Sequence, residues 1–357
     1  MEKIKGFYKG KKILVTGATG FKGSWLCLWL HLLGAKVHGV GHNPNMNKKL
    51  FYELGLNKKI KINIFDIRDL GKLDKLVKKT KPSLIFHLAA QPLIFESYEK
   101  PYKTFDINVR GTLNVLEIIK NYKFIKSSIF ITSDKCYENI GKIIPYKEED
   151  RLGGIDPYSA SKSSAELTIR AYRESFFKDK RKCGISSARA GNVIGGGDWS
   201  ANRLIPDGIR SLLNGQSIYL RNPKFNRPWQ HVLEPLRGYL ILAKRQFNQP
   251  KKYSDAWNFG TKNNSVKSVK EIIDYMITFW GSGKIRYNKN VKFYEQKNLQ
   301  LDIKKAKKNL NWYPTYTVKK GVQITTEWYR DVFKDKKDPF KVTIKQILGY
   351  MDENNWS

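Results

Sequence analysis

Acidic residues are scarce: 32 Asp and Glu against 66 Lys and Arg in 357 residues leave a net charge of +34. Such a balance is compatible with nucleic-acid binding. The lysines, however, are spread along the chain, as in Lys58-Lys59, Lys78-Lys79, Lys251-Lys252, Lys304-Lys305 and Lys336-Lys337, in an Ile-, Asn- and Tyr-rich background. No recognised nucleic-acid motif accompanies them. They read as a solvated basic surface that attracts anionic substrates, and no nucleic-acid partner is expected. Cysteine is rarer still: Cys27, Cys136 and Cys183 show neither metal spacing nor a pairing pattern. With five scattered histidines they suggest a reduced, cytoplasmic protein without a metal site. No apolar stretch nears the roughly 18 residues of a membrane span, and Met1-Glu2-Lys3-Ile4-Lys5 lacks a signal-peptide core, so no membrane partner is expected. Internal repeats and low-complexity linkers are absent.

What is present is a regular alternation. Strand-type runs at 13–16, 36–40, 60–65, 83–87, 127–132 and 184–190 alternate with helical patterns, which argues for an α/β chain with a doubly wound parallel sheet. The first run, Lys11-Lys12-Ile13-Leu14-Val15-Thr16, enters Gly17-Ala18-Thr19-Gly20-Phe21-Lys22-Gly23, and a helical pattern with Trp25, Leu26, Leu28, Trp29 and Leu32 follows. Glycines at this spacing allow a tight turn, close backbone approach to a pyrophosphate and helix–strand packing, while the helix N-terminus offers N–H groups to phosphates. The acidic ribose ligand expected about 20 residues later is missing. No Asp, Glu or Arg lies between Gly23 and Glu53, where the second strand ends in Gly41-His42-Asn43. Spacing therefore does not choose between NAD and NADP. Asp66, after the run Ile60 to Phe65, either meets the adenine amino group or caps the next helix.

A second constellation concerns proton transfer. Asp156-Pro157 reads as a helix start, with Asp as N-cap and Pro at the first helical position. Tyr158 and Lys162 then lie one turn apart on one face. An ammonium beside a phenol lowers the phenol's pKa, and a phenolate is a usable general base. Such a pair can take a proton from a sugar hydroxyl while hydride leaves the carbon to a nicotinamide. Tyr-x-x-x-Lys spacing is common by chance; its weight comes from Ser133-Asp134-Lys135 upstream.

Phe86-His87-Leu88-Ala89-Ala90-Gln91, Asn108-Val109-Arg110-Gly111-Thr112, Thr132-Ser133-Asp134-Lys135-Cys136-Tyr137-Glu138-Asn139 and the Tyr158 segment occur in that order. Together they resemble the extended branch of the short-chain dehydrogenase/reductase superfamily. Arg189-Ala190-Gly191-Asn192-Val193-Ile194-Gly195-Gly196-Gly197-Asp198-Trp199, Arg203-Leu204-Ile205-Pro206-Asp207, Arg221-Asn222-Pro223 and Arg227-Pro228-Trp229-Gln230-His231-Val232-Leu233-Glu234-Pro235-Leu236 follow, with Trp257-Asn258-Phe259-Gly260 and Leu301-Asp302 further on. From about residue 10 to 315 the chain resembles the CDP-glucose 4,6-dehydratase family. The resemblance implies a Rossmann domain for NAD over residues 1–190, with a return segment near 232–262. A smaller mixed α/β lobe for a nucleotide sugar would occupy 191–357. Gly17, Thr19, Gly20, Phe21, Lys22 and Gly23 would cradle the pyrophosphate, Asp66 and Ile67 flank the adenine, and Leu88, Ala89 and Ala90 line the nicotinamide, with Tyr158 and Lys162 beside it. Gln91 and Asn192 would hold the sugar or its phosphate. Arg203 and Arg227 would neutralise the diphosphate, as planar forks suit phosphate oxygens; the alternative is surface ion pairing.

The implied reaction is an internal redox cycle. Tyr158, assisted by Lys162, deprotonates the C4 hydroxyl as C4 gives hydride to NAD, with the Ser133 hydroxyl hydrogen-bonded to the same oxygen; Lys135 is the candidate base at C5 and Asp134 the candidate acid for the C6 hydroxyl. Lys135 would have to be neutral, through burial or the nearby Lys162, or else it only orients the sugar. Ala18 stands where the family pattern has His, a change near the cofactor, and two departures touch substrate choice: Phe95 stands where the pattern has Arg near the active-site entrance, and Tyr294, before Glu295, where His is expected. A nucleotide-sugar 4-epimerase shares the fold and the Tyr–Lys pair but needs no leaving-group acid, so Asp134-Lys135 favours elimination. Another nucleotide sugar is a further alternative, and a non-catalytic NAD- or nucleic-acid-binding protein a remote one. The resemblance also implies a homodimer or homotetramer, built with the helix at Asp156 and one near 103–122, where Ile107, Leu113, Leu116, Ile118 and Ile119 serve core or interface. Bacterial O-antigen deoxysugar biosynthesis is the implied setting.

Overall fold

The computed structural model describes residues 4–42, 50–141, 144–177, 183–262, 266–287 and 299–356. The Tyr294–Glu295 site lies outside them. Thirteen strands are found among the described residues: β1 Lys12–Thr16, β2 Lys36–Gly41, β3 Lys61–Ile64, β4 Leu84–His87, β5 Ser127–Ile131, β6 Gly184–Ala190, β7 Asn192–Ile194, β8 Ile218–Leu220, β9 Asn226–Arg227, β10 Trp229–His231, β11 Ala256–Phe259, β12 Lys267–Ser268 and β13 Ile285–Tyr287. Seven form one sheet in the order β11-β6-β5-β4-β1-β2-β3, every neighbouring pair parallel. Residues of β4, β5 and β6 are all buried, as befits central parallel strands covered on both faces, with Ser127, Ser128, Ser186, Ser187 and Arg189 as their buried polar members. The order reverses between β1 and β4, the switch point where open α/β sheets bind ligands.

The doubly wound fold is the expected one, with a single crossing back. After β6 the chain enters a second lobe, returns through the helix Leu233–Asn248 to add β11 beside β6, and leaves again. The lobe holds the two-stranded pairs β7–β10, β9–β12 and β8–β13 and the helices Leu204–Leu213, Val269–Trp280, Val318–Tyr329 and Pro339–Glu353. Its core is continuous with that of the sheet. Trp25 and Trp29 on the helix Phe21–Leu32 are fully buried; Trp25 Nε1 donates to Gly196 O at 3.0 Å, and Trp29 meets the rings of Tyr350 and Trp356. The buried Glu234 carboxylate accepts from the Tyr316 amide at 2.6 Å and the Tyr350 hydroxyl at 2.6 Å, tying the return helix to the lobe.

Two further helices bear on the site. In Pro157–Tyr172, Asp156 Oδ1 accepts from the Ser159 amide at 2.9 Å, the N-cap the sequence announces. The helical run over 101–121 contains a π turn at Asp106–Arg110, an insertion typical of functional sites. From that turn Asn108 Nδ2 donates to Ser161 Oγ at 2.9 Å and Asn108 Oδ1 accepts from the Gln91 amide at 2.8 Å, joining this helix, the post-β4 loop and the Tyr158 helix. Leu116, Ile118 and Ile119 are core residues, whereas Leu113 points outward.

Candidate active site

The glycine loop is shaped by close approach. Gly17 has φ +70, and a Cβ there would lie 2.7 Å from Ala89 N. A Cβ at Gly23 would lie 2.0 Å from Gly17 O and 2.9 Å from Ala18 Cα. The loop therefore presses against the Leu88–Ala90 segment on one side and its own helix on the other, leaving a backbone-lined cradle at a helix N-terminus. The Thr19 side chain is buried against Gly41, so this residue offers a ligand its backbone alone. Lys162 is 5% exposed, and no hydrogen bond to its ammonium is found among the described residues. A backbone cradle and an ammonium awaiting acceptors fit a dinucleotide.

At the far end, Asp66 does not cap the next helix; Asp69 does, accepting from the Lys72 amide at 2.9 Å. Both Asp66 oxygens meet Arg68, at 2.9 and 2.6 Å, and Arg68 continues to Asp106 at 2.6 Å. The guanidinium holds the Asp66 carboxyl down at about 2. Ile67 is buried under Gly111.

The chemical centre gathers at the ends of β5 and β6. Ser133 Oγ donates to Asp134 Oδ1 at 2.9 Å and is also hydrogen-bonded to the Tyr158 phenol. Asp134 is 5% exposed, its carboxyl lying against Gly191, and burial pushes its pKa above the ordinary carboxylate value. The expectation that Lys162 draws the phenol down is not met. Burial pushes Tyr158 up to about 12, opposed first by the Ser133 hydrogen bond and then by the Arg203 charge. Burial also pulls Lys162 down to about 8. The burial asked of Lys135 is met only in part, as it is half-buried. Lys22 is also pulled down to about 8, by burial and then by Arg203. Lys22 thus faces Asp134, Asp198, Arg203 and Lys162 as well as the phosphate cradle.

Around this centre the sugar-side expectations divide. Gln91 is 4% exposed, and its side-chain nitrogen donates to Thr104 Oγ1 at 2.8 Å and Leu93 O at 3.0 Å. It shapes the loop after β4. Asn192 opens β7, paired with Trp229 of β10, and is half-exposed. Arg203 reaches Asp198 Oδ2 at 3.3 Å and Pro92 O at 3.4 Å and acts on both Tyr158 and Lys22, so it belongs to the centre. Arg227 sits on the lobe's β9–β12 pair with its guanidinium over Phe225. Sequence reasoning passed over Arg221, whose guanidinium lies 5.4 Å from the Phe95 ring and brings a positive charge beside that side chain. It also missed Asp198, 4% exposed; an acid directly after three glycines was the available signal.

The sequence profile of the GDP-mannose 4,6 dehydratase family matches residues 14–325. The CDP-glucose 4,6-dehydratase of Salmonella typhimurium is 44% identical over 353 residues, covering 97% of this chain and 98% of that protein. Among solved structures, dTDP-glucose 4,6-dehydratase of Bacillus anthracis in complex with NAD superposes with TM-score 0.76 at 24% identity over 92% of this chain and all of that one. UDP-glucose 4-epimerase of Thermotoga maritima with UDP-glucose gives 0.77 at 23% identity, covering 90% of this chain and 99% of that one. These two share the fold and divide between elimination and epimerisation. The sequence match over nearly the whole length, together with the Ser133-Asp134-Lys135 and Tyr158–Lys162 centre, places the chain in the GDP-mannose 4,6 dehydratase family, and within it among the CDP-glucose 4,6-dehydratases.

Proposed function

We propose that the protein is an NAD-dependent hydro-lyase that converts CDP-glucose to CDP-4-keto-6-deoxyglucose. The buried acid Asp134, joined through Ser133 to Tyr158, carries this reading, because a 4-epimerase has no leaving group to protonate. Residues 1–190 with the return segment 232–262 would hold the cofactor and 191–357 the nucleotide sugar. Gly17, Gly20 and Gly23 would cradle the pyrophosphate, with Leu88, Ala89 and Ala90 opposite. Arg68, already held between Asp66 and Asp106, has no vacant fork for a 2′-phosphate, which supports NAD over NADP. Bound NAD would supply a hydride acceptor that draws hydride from C4 and gives it back at C6, so no outside oxidant is consumed.

The protons move through this chain's own side chains. Tyr158 takes the O4 proton and Ser133, between the phenol and Asp134 Oδ1, passes one on. Asp134 delivers it to the departing C6 hydroxyl, so the O4 proton and that hydroxyl leave together as water. The C4 ketone acidifies C5–H; Lys135 removes that proton and returns one after hydride reaches C6. Asn192 would orient the sugar, while Arg203 and Arg227 face the diphosphate. A cytoplasmic place in O-antigen deoxysugar synthesis, and a dimer or tetramer through the outward Tyr102, Leu113, Leu167 and Phe176 face, complete the reading. Among the described residues no helix is long and apolar enough to cross a membrane. The test is incubation with CDP-glucose and NAD, then with other glucose nucleotides, followed by mass spectrometry. A product lighter by one water supports the dehydratase; an isomer of unchanged mass would replace it with an epimerase.

A further inference from the structure

One turn beyond Lys162, Glu166 is 2% exposed and lies wholly inside the protein. Its Oε1 accepts from Thr132 Oγ1 at 2.5 Å, and its Oε2 from Ser187 Oγ and Arg189 Nη2, each at 2.7 Å. Arg189 Nη1 goes on to the Tyr137 hydroxyl at 2.7 Å, and that hydroxyl to Asn258 Oδ1 at 2.8 Å. One carboxylate thus links the Tyr158 helix to the residue before Ser133, to β6 and, through Arg189, to the loop after β5. Burying an ion pair is not needed for packing, since an apolar pair of the same volume is often as stable. We propose that Glu166 is a positioning residue, whose carboxylate keeps Lys162 an ammonium and anchors the strand end that carries Ser133.

The charge argument is local. Of the groups that act on Lys162, Glu166 is the strongest in favouring the ammonium. Cys136 is pushed above its ordinary thiol value and His87 is pulled down to about 3, both by burial, so neither is charged near neutrality. Lys22 titrates near Lys162, but the largest charges acting on it are Arg203, Asp134, Lys162 and Asp198. Changing Glu166 should therefore move the titration of Lys162 and leave that of Lys22 in place.

This inference rests on Lys162 serving the cofactor and Tyr158, and it can be read without turnover. NAD binding would be titrated calorimetrically against pH for the parent, for Glu166→Gln, and for Glu166→Gln with Arg189→Met, which leaves no buried guanidinium unpaired. The parent should lose affinity as pH rises through about 8. Both variants should lose it about one unit lower, as expected when a neighbouring opposite charge is removed. If the single variant fails to fold, the double variant carries the same test. A double variant whose profile coincides with the parent's, whatever its melting temperature, overturns the proposal and leaves Glu166 a structural residue. Absence of CDP-glucose turnover in the parent would sink the dehydratase reading and leave this titration readable.

Discussion

Replacing Gly23 by Ala tests the cradle where its geometry is tightest. The added Cβ would lie 2.0 Å from Gly17 O and 2.9 Å from both Gly17 C and Ala18 Cα, whereas ordinary contact begins near 3.4 Å. All three atoms are backbone, so no side chain can swing away, and the loop must shift by more than about 1 Å. Overpacking of this kind costs about 1–3 kcal/mol. If the displaced amides are those that face the pyrophosphate, the same energy appears in binding as a roughly tenfold to hundredfold weaker NAD affinity, at 1.4 kcal/mol per decade. Calorimetric titration with NAD reads the affinity and a thermal melt reads the fold. Gly349→Ala is the control, because nothing lies within 4 Å of its Cβ and it sits inside the helix Pro339–Glu353. That variant should gain roughly 0.5–1 kcal/mol of stability and keep its affinity. A folded Gly23→Ala protein binding NAD within roughly threefold of the parent, under 1 kcal/mol, would refute the reasoning.

Two further predictions address the acid and the fold. Asp134→Asn keeps the shape but can neither take the relayed proton nor give one, so water loss should slow by ~10²–10⁴-fold, with C4 oxidation slowed less because it needs no leaving-group acid. Single-turnover absorbance of reduced nicotinamide beside product mass separates the two steps, and water loss at nearly the parent rate would remove Asp134 from its role. Burial raises this carboxyl's pKa, so in the parent the acid form, and elimination with it, is lost as pH rises through the raised value. By the same sign, its contribution to stability is complete below the unfolded-chain value and fades as pH rises through the folded one; rates and melts across pH check both. Ser268→Ala breaks the capping box with Glu271 that starts Val269–Trp280 and should cost about 1 kcal/mol in urea unfolding with turnover unchanged; an unchanged unfolding midpoint would contradict it.

The sheet was legible because short strand-type runs alternate with helical patterns, and six of its seven strands lie at those runs. The seventh, Ala256–Phe259, is short and enters only after the chain has left the sheet and come back, a path no local pattern records. The Asp156-Pro157 cap and the glycine loop were legible because backbone chemistry demands those residue types. Side-chain commitments were not. Gln91 turns inward to Thr104 because a tight loop after β4 needs its amide, and Asp66 is taken by Arg68, two residues along. The phenol's pKa is a related case: spacing sets Tyr158 beside Lys162 but does not reveal that burial pushes the phenol up. Asp198 and Arg221 reach the site from the second lobe, through contacts distant in sequence.

Elimination across C5 and C6 is tested directly by turnover of CDP-glucose with NAD in deuterated water, read by mass spectrometry and by proton resonance at C5. The expected product is a 4-keto-6-deoxy sugar nucleotide that has lost one water and carries solvent deuterium at C5. CDP-glucose returned unchanged, or converted to an isomer of equal mass with its C5 proton retained, would contradict it.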